Sequence, residues 1–136
     1  MTKIAIISDI HGNITALRAV LADARAASAD EYWCLGDIYM PGPGAEDVWS
    51  LLDDIHPIIR VRGNWADFAA AIMPGDYQPQ RQVDLLVARN ERYLSARQPA
   101  GVPASCGQWP LRYARVIGAL WIGTQYYSTA HYCAHH

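Results

Sequence analysis

An α/β fold with a parallel sheet follows from three observations on this 136-residue chain. Three short apolar runs, at residues 4–7, 32–35 and 58–61, alternate with stretches of helical periodicity. Each run ends on a small polar cluster: Asp9 with His11, Gly36 with Asp37, and Gly63 with Asn64. Asp37 lies 28 residues after Asp9, and Asn64 lies 27 after Asp37, the interval that one strand, one helix and one return loop occupy. The clusters therefore line up outside the carboxyl ends of the strands, the edge where open α/β sheets bind ligands.

Residues 2–8 are almost continuously apolar and read as a buried parallel strand. Asn13 can cap a helix that carries Ile14, Leu17, Val20, Leu21 and Ala24 on one face. After the second strand, Pro41, Gly42, Pro43 and Gly44 punctuate a loop. A helix over 45–54 follows, with Val48, Leu51, Leu52 and Ile55 inward, and Pro57 stops it through His56. Residues 58–62 form the third strand. A short helix is expected over 65–73, closed by Pro74 and Gly75. Residues 83–96 suit a further helix, with Leu85, Leu86, Ala88 and Tyr93 on its apolar side. Strand, helix, strand, helix, strand makes two crossover units, the α/β signature.

Beyond Arg97 the pattern fades. Residues 98–110 hold three prolines and no periodicity, 111–122 fit a hairpin turning near Gly118, and 123–136 show neither alternation nor a helical face. Charge divides at a similar place. Every Asp and Glu lies between Asp9 and Glu91, so the first 91 residues carry −6 and the last 45 carry +4. We therefore expect one α/β half-domain over 1–97 and a divergent or truncated segment over 98–136.

The overall charge of −2 gives no general argument for nucleic acid or an anionic membrane. No apolar stretch is long enough to span a bilayer, and Asp9 interrupts the first run too early for a signal peptide. Cys34, Cys106 and Cys133 are widely spaced, with no Cys-x-x-Cys pair. That spacing argues against a disulfide framework or a zinc knuckle and points to the cytoplasm.

Two carboxylates, an imidazole and an amide oxygen at one sheet edge suit a divalent metal. Taken singly, Asp9 reads as a helix cap, Asp37 and Asn64 as turn residues. Their order, spacing and common position after strands turn that reading toward metal chemistry.

The series Asp9-x-His11, Gly36-Asp37 followed by Pro41-Gly42-Pro43, and Arg62-Gly63-Asn64 resembles the first half of the calcineurin-like metallophosphoesterases, in their compact bacterial branch. The resemblance covers residues 2–70 and implies one βαβαβ layer of a four-layer α/β/β/α sandwich whose second half is incomplete here. It implies two divalent ions (manganese, iron, zinc or similar), with Asp9 and His11 on the first, Asp37 bridging and Asn64 on the second. Catalysis would then rest on Asp37 and Asn64, with Asn13, Arg62 and Trp65 near the substrate. Such a centre activates a water and clamps phosphate oxygens.

Two positions depart from the family pattern. Many members carry histidine directly after Gly-Asn, where this chain has Trp65; general acid catalysis typically supplies about 10²–10⁴-fold. The family also draws histidines from its second half, and after Asn64 this chain has only His131, His135 and His136. His131 and His135 are four apart and would share one face of a helix as extra ligands. The leading expectation is a metal-dependent phosphoesterase that hydrolyses phosphomonoesters or phosphodiesters through a dinuclear centre, its substrate a small phosphate ester or nucleotide. The alternative is a non-catalytic fragment that holds one metal or none, or a nucleotide weakly, and self-associates through an exposed sheet with Leu120, Trp121 and Ile122. A phosphoaspartate-type hydrolase fares worse, because its first loop needs a second acid where His11 stands.

Overall fold

The computed structural model describes residues 2–72, 77–97, 106, 108–117 and 120–125. Strands β1 (Ile4–Ile7), β2 (Glu31–Cys34) and β3 (Ile59–Arg60) form a parallel sheet in the order β1-β2-β3. Ile6 pairs with Trp33 and Trp33 with Ile59. Helix α1 (Ile14–Ala26) links the first two strands and α2 (Ala45–Asp54) the next two. A sheet that grows in one direction through right-handed crossovers puts both helices on the same face. Leu17 and Leu21 of α1 and Val48 and Leu52 of α2 do share one cluster with Ile7 and Cys34.

Asn13 caps α1 as its sequence predicts, its Oδ1 accepting the Ala16 N–H at 3.0 Å. Glu46 and Asp47 lie in the first turn of α2, where carboxylates complement the helix dipole. β3 is shorter than the expected 58–62, although the Ile58 N–H donates to the Tyr32 carbonyl and the Val61 N–H to that of Cys34. The chain then leaves the sheet to start α3 (Asn64–Ile72). The opposite sheet face gathers Trp33, Ile59 and Val61 with Ile4, Leu35 and Tyr113.

Helix α4 (Gln82–Ser95) and the antiparallel hairpin of β4 (Arg112–Ile117) and β5 (Leu120–Gln125) complete the described fold. Tyr113 on β4 meets Trp33 edge-on, with ring centroids 6.3 Å apart. Pro110 accepts the Arg62 N–H, tying the hairpin's entry to the end of β3. Gly123, Thr124 and Gln125 belong to β5, against the expectation of no structure from residue 123 onward. Their register comes from residues 112–114 across the ladder, a non-local partner that local pattern cannot announce. His131 and His135 lie outside the described residues, as do the side chains of Leu120, Trp121 and Ile122.

Three burial expectations need correction. Ile6 is 52% exposed, because β1 is an edge of the sheet among the described residues and its pleat turns Ile6 away from the helices. Val20 is exposed while Leu17 and Leu21 are buried, so the buried stripe of α1 is narrower than its apolar one. On α4 the face is rotated: Leu85, Leu86 and Tyr93 are exposed, and Ala88, Glu91 and Leu94 are buried. Leu21 is fully buried between helix and sheet. Leu21→Ala should cost about 2–5 kcal/mol, read as a lower denaturant midpoint at unchanged slope.

Candidate metal centre

The loops at the carboxyl ends of the strands are laced together by backbone. The Asp9, His11 and Gly12 N–H groups donate to the carbonyls of Gly36, Asp37 and Ile38 at 3.2, 2.9 and 2.8 Å. These bonds lie beyond the strands and bring the first cluster against the second. Asp9, His11 and Asp37 all take left-handed backbone, with φ of 54°, 49° and 51°. Such conformations cost of order 1–3 kcal/mol each and gather at functional sites. Asp and His are among the residues that tolerate them best.

Glycines allow the close approach. Gly36 has φ 97°, and a Cβ there would overlap the backbone of Gly63. A Cβ on Gly63 would in turn overlap the Asp37 carboxylate. The sequence pairs Gly-Asp and Gly-Asn are therefore one contact, in which the second and third clusters touch through their glycines.

One donor atom from each of Asp9, His11 and Asp37 lies within 4.8 Å of the others. His11 Nδ1–H donates to the Met40 carbonyl. In the neutral ring that hydrogen bond leaves the lone pair on Nε2, which lies 3.6 Å from Asp9 Oδ1. An imidazole anchored by its other nitrogen to a backbone carbonyl is the usual arrangement of a metal-binding histidine. Asp9 also accepts from the Ser8 hydroxyl. The donor set of two carboxylates and one oriented imidazole fits a divalent first-row metal.

Asp37 occupies the junction. Its Oδ1 accepts the Trp65 N–H at 2.9 Å, so it serves the N-terminus of α3 from another loop. Its pKa is raised above the usual carboxylate value. Burial is the largest cause; the Trp65 N–H opposes it, the Asp9 charge adds to it, and His11 and the Asn64 N–H oppose it again. Asn64 opens α3, beside that carboxylate.

The remaining expected site residues divide. Trp65 meets the His11 ring edge-on at 5.9 Å and also packs on the core. Asn13 lines a groove of about 460 Å³ with His11, Thr15, Gly42, Pro43 and Gly44. Its Oδ1 is engaged in capping, so only its amide nitrogen could meet a phosphate. Arg62 Nε lies 3.0 Å from Asp67 Oδ1 on α3. Sequence reading missed Met40, whose contribution is a backbone carbonyl, and Asn90 of α4, which donates to the Pro41 carbonyl.

The chain is 41% identical over 63 residues to an uncharacterised protein of Methanocaldococcus jannaschii, covering 46% of this chain and 26% of that protein. A metallophosphoesterase from Sphaerobacter thermophilus superposes with a TM-score of 0.62 at 29% identity, covering 88% of this chain and 45% of the other. A hypothetical protein from Pyrococcus horikoshii shares the fold with a TM-score of 0.71 at 18% identity, covering 90% and 54%. The chain thus spans about a quarter of the first relative and about half of the two solved structures. Residues 2–110 match the calcineurin-like phosphoesterase superfamily domain, and the chain belongs to that superfamily.

Proposed function

We propose that the chain holds divalent metal through Asp9, His11, Asp37 and the Asn64 amide oxygen, and that it hydrolyses small phosphate esters or nucleotides there. One observation carries this reading: three donors converge within 4.8 Å, with the His11 ring already turned by Met40. Asp37 is the residue best suited to bridge two ions, since its carboxylate has two oxygens and a full charge to share. The free cysteines Cys34 and Cys106 support a reducing, cytoplasmic setting.

A bound divalent ion supplies Lewis-acid polarisation of a phosphate oxygen and a water acidic enough to attack near neutral pH. The chain's residues do the rest. Asp9, His11 and Asp37 fix the donors on the laced loops, and the groove beside His11 accepts the organic part of the ester. Trp65, standing where many members have histidine, covers the edge of His11 and offers no acidic proton to a leaving group. Esters with good leaving groups should therefore be preferred.

The test is hydrolysis of p-nitrophenyl phosphate with added manganese. We expect turnover that a chelator abolishes and that manganese restores, with an alkyl phosphate slower by about 10²-fold or more. No turnover with tight manganese binding would favour a second reading, a metal- or nucleotide-binding fragment. That reading draws on the fact that the described residues bring together only three His or Asp donors, fewer than two closed coordination spheres need. Absence of both turnover and binding would sink the proposal. Self-association through the hairpin belongs to the fragment reading, and sedimentation would test it.

A further inference from the structure

Helix α4 reaches the site from outside the strand-end loops. Asn90 Nδ2 donates to the Pro41 carbonyl at 2.9 Å, across 49 positions of chain. The preceding carbonyl, that of Met40, is the one that accepts His11 Nδ1–H. Two consecutive carbonyls thus have complementary jobs: one holds the imidazole, and the other is held by α4.

The connection between them is short. The proline ring locks the φ of Pro41, and peptide units are planar. Only the ψ of Pro41 separates the Met40 carbonyl from the Pro41 carbonyl as a soft torsion. Anchoring the Pro41 oxygen therefore restricts the plane that carries the acceptor for His11. Packing supports the same contact. Glu91, next to Asn90, is fully buried, as is Met40, and Tyr39 and Leu94 are buried in the same cluster as Met40. Burial, then the Glu91 carboxylate and the Cys106 thiol, raise the Tyr39 phenol's pKa. Helix α4 thus meets segment 39–41 at the Pro41 carbonyl and shares the core cluster of Tyr39 and Met40 through Leu94.

We propose that Asn90 is a positioning residue: by holding the Pro41 carbonyl it fixes the Met40 carbonyl, and so keeps the His11 imidazole as the Nδ1–H tautomer with Nε2 toward Asp9. This rests on the reading of His11 as a metal-binding residue. Asn90 is neither a metal ligand nor in contact with substrate. Its effect is on the readiness of the site before any ion arrives.

The test uses Asn90→Ala and Asn90→Asp, with His11→Gln as reference. Alanine is a better helix former than asparagine, so α4 should persist, and circular dichroism and melting would check it. In the metal-free protein, long-range ¹⁵N–¹H correlation spectra would report the His11 tautomer, assigned by the signals that vanish in His11→Gln. Cobalt titration followed by visible absorption would report affinity. We expect mixed tautomers in Asn90→Ala and affinity weaker by about threefold to tenfold, below the 10–100-fold of a direct partner. Asn90→Asp sets a carboxylate against a carbonyl and should weaken binding at least as much. A wild-type tautomer and affinity in both variants, with cobalt binding lost in His11→Gln, would overturn the role of Asn90 and leave His11 standing. A drop in melting temperature alone, with the tautomer unmoved, would overturn it equally. Unchanged cobalt binding in His11→Gln would remove the reading underneath.

Discussion

Asp37→Asn should abolish tight metal binding while leaving the metal-free fold at least as stable as the wild type. The two effects have one origin. The Asp37 carboxylate is desolvated and faces Asp9, and its pKa is raised. A raised carboxylate pKa means that the group's contribution to stability is fullest below the ordinary carboxylate range. It is lost as pH rises through the folded-state value. Above that value, without metal, the ionised carboxylate therefore works against the fold. Asparagine removes that charge and keeps an oxygen to accept from Trp65, the hydrogen bond that starts α3. Outer partners of metal ligands alone account for about 10–100-fold in affinity, so loss of a junction ligand should exceed about 100-fold. Calorimetry with manganese and thermal melts with and without it would read both. Manganese should raise the wild-type melting temperature and leave that of Asp37→Asn unmoved. A variant that melts lower without metal and still binds manganese would make Asp37 a helix cap and nothing more.

Gly63→Ala should damage the fold and the site together through a single methyl. The added carbon would overlap Oδ1, Cγ and the backbone nitrogen of Asp37. Asp37 has little freedom to retreat. Its carbonyl accepts from His11 and its carboxylate from Trp65. Overpacking of a well-filled site commonly costs about 1–3 kcal/mol. Here the relief must come from moving the carboxylate or the start of α3, and either disperses the donors. We expect a lower denaturant midpoint together with manganese affinity as poor as that of Asp37→Asn. Wild-type affinity in Gly63→Ala would show that Asp37 does not need its described position to bind.

Why β1 through α3 were readable in detail, and α4 and the hairpin only in outline, is a matter of where the information sits. In β1 through α3 the apolar periodicity, the Asn13 cap and the strand-end clusters are all local, and α2 falls at Ala45–Asp54 as read. Asp9, His11 and Asp37 were visible because loops after parallel strands must converge at one edge. What was hidden acts through tertiary contact. The inward face of α4 depends on which side the 39–41 segment offers, so Glu91 is buried and Leu86 is not. Arg60 lies near the stacked rings of Trp49 and Trp109, a grouping drawn from three separate segments. Met40 acts by its carbonyl, which any residue would supply, and so leaves no mark in the sequence.

The left-handed backbone at Asp9, His11 and Asp37 also bears on how such a site can be lost by descent. Most side chains are penalised at those angles, so most replacements would be removed as misfolded before their effect on chemistry was felt. Asparagine, histidine and glycine tolerate the same angles, each one nucleotide change from aspartate, and of the three only asparagine also keeps the shape of the side chain. The open route of decay therefore runs through Asp→Asn, which sheds charge and keeps shape. Lineages on that route would retain a recognisable fold long after the chemistry had gone, and the identities of residues 9 and 37 would tell the two states apart.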